Sequence, residues 1–424
     1  MGITLVGITL ASMELNASVN KVAMLSMHTS PLAQPGRGDS GGMNVFVREL
    51  GAALAQAGVS VRTYVRRADA STPDVVTVEP GFEVCQITAG AFDLDKHQLP
   101  GVIDEFADGV RKDIEQLGEA QVLHANYWLS AQAAHRIKHE LSLPLVTTFH
   151  TLARVKSAGG DVDDDDESSA RAEAEAAIIG CSDIVTAATA VEAAELRDLY
   201  RADPARIEWI SPGVDRAFFS PGDQNAARRA SGLTASPTVL FVGRIQPLKG
   251  LDLAVDAISL LRHQDAQLVI VGGPSGDEGA ATERAIRQRI SELGLEHRVT
   301  WCPPKPHHLL SSYYRAADVV VVPSRSESFG LVALEAAACG TPVVASDVGG
   351  LSQLVVDGET GLLVPRTAER FASALDLVLG HPSLADRMGT AAATRAQRFT
   401  WSATAARLRR CYSDLAARAL VSCD

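Results

Sequence analysis

Residues 21–65 read KVAMLSMHTSPLAQPGRGDSGGMNVFVRELGAALAQAGVSVRTYV. The first seven form an apolar run that stops at a polar, glycine-rich stretch, the pattern of a buried parallel strand followed by a loop. From Asn44 to Ala57 the apolar residues Val45, Leu50 and Leu54 recur at helical spacing, and Gly58 ends the helix. Val59 to Val65 is apolar again. Strand, helix, strand is the unit from which parallel sheets are built.

Further strands are expected outward from this unit at Val84–Thr88, Val122–His124, Leu145–Thr148, Ile184–Ala187 and Ile207–Ile210. A second set follows Pro237, at Val239–Val242, Gln267–Val271, Val299–Trp301, Val319–Val322 and Val343–Ala345. Between the sets, Ser211–Asp223 (SPGVDRAFFSPGD) is rich in proline and glycine, lacks periodicity and reads as a linker. The fold class is therefore α/β: two Rossmann-like, doubly wound parallel-sheet domains facing a central cleft, with ligands beyond the carboxyl ends of the strands. A chain of 424 residues suits two such domains.

With 46% hydrophobic and 21% charged residues, the composition is that of a soluble globular protein. The net charge of -12 disfavours nucleic acid and anionic membranes as partners, so an anionic ligand needs a local basic cluster. No apolar run approaches the roughly 20 residues that span a bilayer. Residues 2–11 (GITLVGITLA) are apolar but short, with no basic residue before them, and make a poor signal peptide. The six cysteines are scattered without a C-x-x-C pair, so neither a disulfide framework nor a thiolate zinc site is expected, and a cytoplasmic setting is. The acidic run 161–167 (DVDDDDE) reads as a solvated loop.

Three clusters carry chemistry. In GRGDSGGMN (36–44), Gly41 and Gly42 allow a diphosphate or sugar close to the backbone at a helix start, which offers free N–H groups to an anion. This loop is not G-x-G-x-x-G, and no acidic residue follows at the spacing a nicotinamide ribose needs. In VGRIQPLKG (242–250), Arg244 and Lys249 follow the first strand of the second set, and such a pair suits a pyrophosphate. In ESFGLVALE (327–335), Glu327 lies at the start of a helix and Glu335 two turns in, so both carboxylates can face one ligand and accept from sugar hydroxyls. HANYWLS (124–130) and TTFHTL (147–152) also follow strands, which aims Tyr127 and His150 at the cleft.

These motifs, with SMHTSPLAQPGRGDSGGMNV (26–45), HTLARVK (150–156), VGGPSG (271–276), YRAAD (314–318) and SRSESFGLVALEAAACGTPVVASDVGGL (324–351), resemble the retaining GT-B glycosyltransferases from Lys21 to about Arg418. Within that group the likeness is to the actinobacterial D-inositol-3-phosphate glycosyltransferases of mycothiol synthesis. The resemblance implies an acceptor-binding domain over 21–212, a nucleotide-sugar-binding domain over 213–395, a helix over 396–424 that crosses back, and an extension over 1–20. It implies a retained transfer of N-acetylglucosamine from UDP-N-acetylglucosamine to 1D-myo-inositol 3-phosphate. The alternatives are a related transferase using another donor, such as a GDP-sugar, and another acceptor, an aminocyclitol or a thiol-bearing small molecule, and a nucleotide-sugar epimerase on the same fold.

On the donor side the resemblance points to His28, Gln34, Pro35, Gly41, Gly42, Arg244, Lys249, Lys305, Glu327 and Glu335, and on the acceptor side to Asp39, Asn44, Lys96, Tyr127, Thr151 and Arg171. Arg244, Lys249, Glu327 and His150 are the residues expected to act in catalysis. No cofactor or catalytic metal is implied, but a structural magnesium ion is, at Tyr314, Arg315, Ala317 and Thr341. A homodimer is compatible with the family. Asn126 and Ala131 stand where the family has histidine and glycine, and Lys305 where arginine is common.

Overall fold

The structure, a computed structural model, describes residues 19–118, 120–158 and 165–423. The apolar segment 2–11 and residues 161–164 of the acidic run lie outside the described residues. The first sheet contains β1 (Lys21–Leu25), β2 (Ser60–Arg66), β3 (Val75–Glu79), β4 (Phe82–Ile87), β5 (Val122–Asn126), β6 (Leu145–Thr148), β7 (Ile184–Ala187) and β8 (Ile207–Trp209). The second contains β9 (Thr238–Val242), β10 (Gln267–Val271), β11 (Val299–Cys302), β12 (Val319–Val322), β13 (Val343–Ser346) and β14 (Gly361–Val364).

Their spatial orders are β3-β4-β2-β1-β5-β6-β7-β8 and β11-β10-β9-β12-β13-β14. Among the described residues only the β3–β4 pairing is antiparallel. In each sheet the chain winds outward from one strand and then returns to that strand's other side. The winding reverses between β1 and β5 in the first sheet and between β9 and β12 in the second. Side chains cannot fill the crevice beyond the strand ends at such a reversal, and ligands enter there. β5, β6, β7, β12 and β13 are buried along their whole length, because helices cover both faces.

The helix Trp401–Ala416 belongs to the core of the first sheet although it closes the chain. Trp401, Leu408, Tyr412 and Leu415 are buried together with Phe46, Val47 and Leu50 of the helix Gly42–Gln56. Fully burying a side chain of this size contributes about 1.5–3 kcal/mol. Thr400 caps the helix by accepting from the Ala403 amide (3.2 Å), and the Tyr412 hydroxyl bonds the buried His124 ring (2.6 Å). Val19 packs in the same cluster, so the first domain starts before the expected end of the extension at residue 20.

One expectation is corrected. Cys181 and Cys423, 242 residues apart, are brought together with a Cα–Cα distance of 5.3 Å. The lack of a C-x-x-C pair says nothing of cysteines that join through the tertiary fold.

Between β8 and the helix Gln224–Ser231 the chain is irregular, and Gly213 lies against the start of the crossing helix. A Cβ there would run into the backbone nitrogen of Trp401 and the carbonyl carbon of Thr400. Backbone cannot step aside as a side chain does. Gly213→Ala is expected to destabilise the first domain by about 1–3 kcal/mol, read as a lower urea midpoint of the Trp401 fluorescence.

Candidate active site in the interdomain cleft

The strand ends at both reversals open into one cleft of about 310 Å³. The loop after β1 supplies Pro35, Gly36, Gly41 and Gly42, and the loop after β9 supplies Arg244 and Lys249. β6 delivers His150 and Thr151, and the segment after β12 delivers Ser324, Glu327 and, on the helix Leu331–Ala338, Glu335.

Asn44 shapes the first loop. Its Oδ1 accepts from the Gly41 amide (2.8 Å), and its Nδ2 donates to the Ser30 carbonyl (2.6 Å) and the Thr29 hydroxyl (2.5 Å). The amide, buried and filled by these partners, holds the start of the helix Gly42–Gln56 at the cleft. The first N–H groups of a helix have no partner within it, so this end presents donors and positive potential. Gly41 is needed for close approach, because a Cβ there would lie 3.0 Å from Nε of Arg244.

Arg244 donates to the Asp39 carbonyl (3.2 Å) and the Ser275 hydroxyl (3.4 Å). Among the described residues no carboxylate forms an ion pair with it. Burial pushes the guanidinium below its ordinary value, against the pull of Asp39 and Glu327, and an arginine still keeps its charge at neutral pH. Lys249, by contrast, donates to Oε2 of Glu327 (2.7 Å), which also accepts from Ser324 (3.4 Å). Glu335 accepts from the Tyr314 hydroxyl (2.7 Å) and pairs with His307 (2.7 Å). Burial alone would lower His307, but Glu335 outweighs it and the imidazole is raised above its ordinary value. His307 was not singled out in the sequence, although PKPHH follows a strand as the segment around His150 does.

A second group of side chains gathers beside the first-domain reversal. The His28 ring lies 4.6 Å from that of Tyr127, and the Arg171 guanidinium 5.0 Å from the same Tyr127 ring. Arg171 pairs with the buried Glu175 (2.7 Å) and donates to the Thr151 carbonyl (2.8 Å) and hydroxyl (3.1 Å). Lys96 is exposed nearby, close enough to act on the His28 charge. His150 Nε2 meets Asn126 Oδ1 at 2.9 Å, while Asn126 Nδ2 and His28 Nδ1 are buried without a partner. Tyr127 and His150 hold positive φ angles of 76° and 64°. Left-handed backbone is strained for residues with a side chain, and such strain gathers at functional sites.

Several contacts cross the cleft. Gln34 donates to the Pro304 carbonyl (2.9 Å), Ser275 to Asp39 (2.9 Å) and Ser328 to the His150 carbonyl (2.7 Å). Gln34 and Asp39, read in the sequence as ligand contacts, thus also join the domains. Lys305 stands at the second-domain wall, with Nζ 5.9 Å from the Tyr313 ring.

Two parallel-sheet domains that meet at their winding reversals, with a glycine loop and two cations facing two carboxylates, define a retaining glycosyltransferase of the GT-B fold. Residues 223–395 match the family of glycosyl transferases group 1, and residues 40–218 match Glycosyltransferase Family 4. The D-inositol 3-phosphate glycosyltransferase of Jonesia denitrificans is 44% identical over 407 residues, 93% of this chain and 96% of that one. Its counterpart from Nocardia farcinica is 46% identical over 404 residues, 93% and 89% of the two chains. The sucrose-phosphate synthase of Thermosynechococcus elongatus superposes with a TM-score of 0.87 at 34% identity, covering 94% of this chain and 99% of that one. The chain belongs to the group 1 and family 4 glycosyltransferases, in the branch that holds the D-inositol 3-phosphate glycosyltransferases.

Burial lowers three imidazoles: His28 to about 4, and His124 and His150 to about 3. For His28, Arg244, Arg171 and Lys96 add to the effect while Asp39 opposes it. These three rings therefore bind fewer protons in the folded chain than in the unfolded one below about pH 6.5, and their contribution to stability falls as the pH drops through that point, opposed by Glu192, raised by burial to about 7, and by His307. In a proton NMR titration, the Cε1–H resonances of His28, His124 and His150 are expected not to titrate between pH 7.5 and 5.

Proposed function

We propose that the chain moves N-acetylglucosamine from UDP-N-acetylglucosamine to 1D-myo-inositol 3-phosphate with retention, in the cleft between the two sheets. The observation that carries this reading is the partly exposed Arg244 guanidinium, held at Gly41 and, among the described residues, without an ion-paired carboxylate. A diphosphate supplies the counter-charge through charge-assisted hydrogen bonds. The names of the relatives at 44–46% identity support the acceptor.

The donor diphosphate lies between Arg244, Lys249 and the amides at Gly41 and Gly42. Lys249 turns from Glu327 to the phosphate, which frees the Glu327 carboxylate to accept from sugar hydroxyls. Glu335, oriented by Tyr314 and His307, takes the ribose hydroxyls, and the backbone at Lys305 meets the base. His28, Gln34 and Pro35 close the donor side. His150, a neutral ring, positions the sugar by hydrogen bonding and carries no charge into the reaction.

Retaining hydrolases place a carboxylate nucleophile beside the anomeric carbon. Here both glutamates are assigned to hydroxyl binding, Glu327 to the donor sugar and Glu335, oriented by Tyr314 and His307, to the ribose. The acceptor hydroxyl instead attacks from the face the diphosphate leaves. Its oxygen bonds the anomeric carbon, the bond from that carbon to the phosphate oxygen breaks, and the hydroxyl proton passes to the departing phosphate. Negative charge grows on the diphosphate as the bond breaks, where fixed cations stabilise it most.

On the acceptor side, Lys96 and Arg171 take the phosphate, and Asp39, Tyr127 and Thr151 the ring hydroxyls. Asn44 holds the loop on which Asp39 stands. A second reading, transfer to an aminocyclitol, draws on Asn126, whose buried Nδ2 has no protein partner. Magnesium stays a structural proposal. Thr341 donates to the Tyr314 carbonyl (2.6 Å) and Gln224 to that of Ala317 (3.1 Å), at the end of the helix Leu310–Ala316. Hydroxyl and carbonyl oxygens at the negative end of a helix suit a hard cation, and no step of the transfer runs through it. Among the described residues no helix is long and apolar enough to cross a membrane, and we place the reaction in the cytoplasm, where nucleotide sugars are made.

Arg244→Ala and Lys249→Ala are each expected to lower kcat by about 10²–10³, with unchanged circular dichroism. Near-normal turnover in both would overturn the assignment. Product mass from UDP- and GDP-sugars, with inositol phosphate or an aminocyclitol, separates the two acceptor readings.

A further inference from the structure

Away from the cleft, four side chains from three distant parts of the chain meet. The helix Trp128–Leu141 carries His135 and His139, four residues apart and therefore on one face. Cys181 is the last residue of the helix Asp165–Cys181 and is fully buried. Cys423 arrives from beyond the crossing helix. One ligand atom from each of the four lies within 4.8 Å of all the others.

Four of the six spacings among the ligand atoms are close to those of a coordination shell, while the two sulfurs lie nearer each other than in one. The two Nε2 atoms of His135 and His139 are 3.2 Å apart. Sγ of Cys423 lies 3.2 Å from His139 and 3.5 Å from His135, and Sγ of Cys181 lies 3.4 Å from His139. The two sulfurs are themselves in contact. A tetrahedron with zinc–nitrogen bonds of about 2.0–2.1 Å and zinc–sulfur bonds of about 2.3 Å has nitrogen–nitrogen edges of about 3.3 Å and nitrogen–sulfur edges of about 3.6 Å.

The backbone behind these ligands is fixed by one buried ion pair. Lys138, between the two histidines, donates to the Cys181 carbonyl (2.7 Å) and to Asp183 (2.8 Å). The same Asp183 accepts from the amides of Leu145 (2.7 Å) and Val421 (2.7 Å). Both cysteines are thus anchored within two residues by one pair of charges. Such supporting bonds are what orient ligands around a metal.

We propose that His135, His139, Cys181 and Cys423 form a closed structural zinc site that fastens the C-terminal tail to the first domain. Two imidazoles and two thiolates select zinc over magnesium or calcium. Four protein ligands leave no position for a substrate, so the site is structural. On binding, each thiol gives its proton to solvent, two new thiolates balance the 2+ charge, and nothing is oxidised. A direct Cys181–Cys423 disulfide is the competing occupant. It requires an oxidant to take two electrons and two protons, and none is supplied by sugar transfer.

The test uses the full chain, purified without a polyhistidine tag and without chelator. Metal analysis by mass spectrometry is expected to find one zinc per chain, and all six cysteines are expected to react as thiols after denaturation in chelator. Cobalt exchange should give the visible bands of tetrahedral thiolate coordination. Cys423→Ser, remote from the cleft, should keep transferase activity and bind zinc more than about 100-fold more weakly, since loss of a mere supporting residue already costs 10–100-fold. It should also speed proteolysis of the tail. His135→Ala is the second variant and should lose zinc in the same way. A Cys181–Cys423 peptide joined in non-reducing digests, or a metal-free chain with six thiols that takes up no cobalt, would overturn the proposal.

Discussion

A partly exposed guanidinium without an ion-paired carboxylate is the constraint around which the cleft is arranged. Among the described residues the hydrogen-bond partners of Arg244 are neutral, the Asp39 carbonyl and the Ser275 hydroxyl. In a chain of net charge -12, a carboxylate partner would be easy to provide. Its absence keeps the charge available for a ligand, and the surroundings follow from that. The glycine at position 41 lets the guanidinium lie close to the backbone, because a Cβ there would stand 3.0 Å from its Nε. Lys249 is paired with Glu327, within reach of the same space, so its repulsion of Arg244 is reduced.

The contacts that join the two domains are of a different kind from those within them. Gln34 to Pro304, Ser275 to Asp39 and Ser328 to the His150 carbonyl are single hydrogen bonds at the cleft edge. The two bonds to carbonyls are each worth about 0.5–1.5 kcal/mol net and the one to the Asp39 carboxylate about 1.5–3 kcal/mol, because water replaces the partner when they break. The crossing helix adds an apolar contact of a different kind, packed into the core of the first sheet. An arrangement of this type lets the cleft open at low cost while the two sheets stay rigid, as a transferase that excludes water needs.

The parallel strands were legible because burial on both faces leaves continuous apolar runs such as VLFV (239–242) and VVVV (319–322). The exceptions have physical causes. β3 is a partly exposed antiparallel edge, so its three valines are interrupted by Thr77 and closed by Glu79, and β14 is four residues opened by a glycine. Arg244, Lys249 and Glu327 could be read from strand-end position alone. The partners of Glu335 could not, since His307 and Tyr314 reach it from other elements. Asn44 shows the limit of reading a ligand from a resemblance, because its amide is filled by its own loop. The histidine and cysteine cluster was invisible for the same reason: its members are joined by topology and not by spacing.

The place of the helix Trp401–Ala416 has a further consequence. The first sheet is encoded early, yet Trp401, Leu408 and Tyr412 of its core are encoded after the whole second sheet. A nascent chain emerging from the ribosome therefore exposes an unfinished apolar face over Phe46, Val47 and Leu50 until that helix has been made. The second domain, contiguous in sequence, is free to fold while the first still waits. Order of assembly thus runs opposite to order of translation, and premature termination near residue 400 would leave a sound second domain attached to an unfinished first.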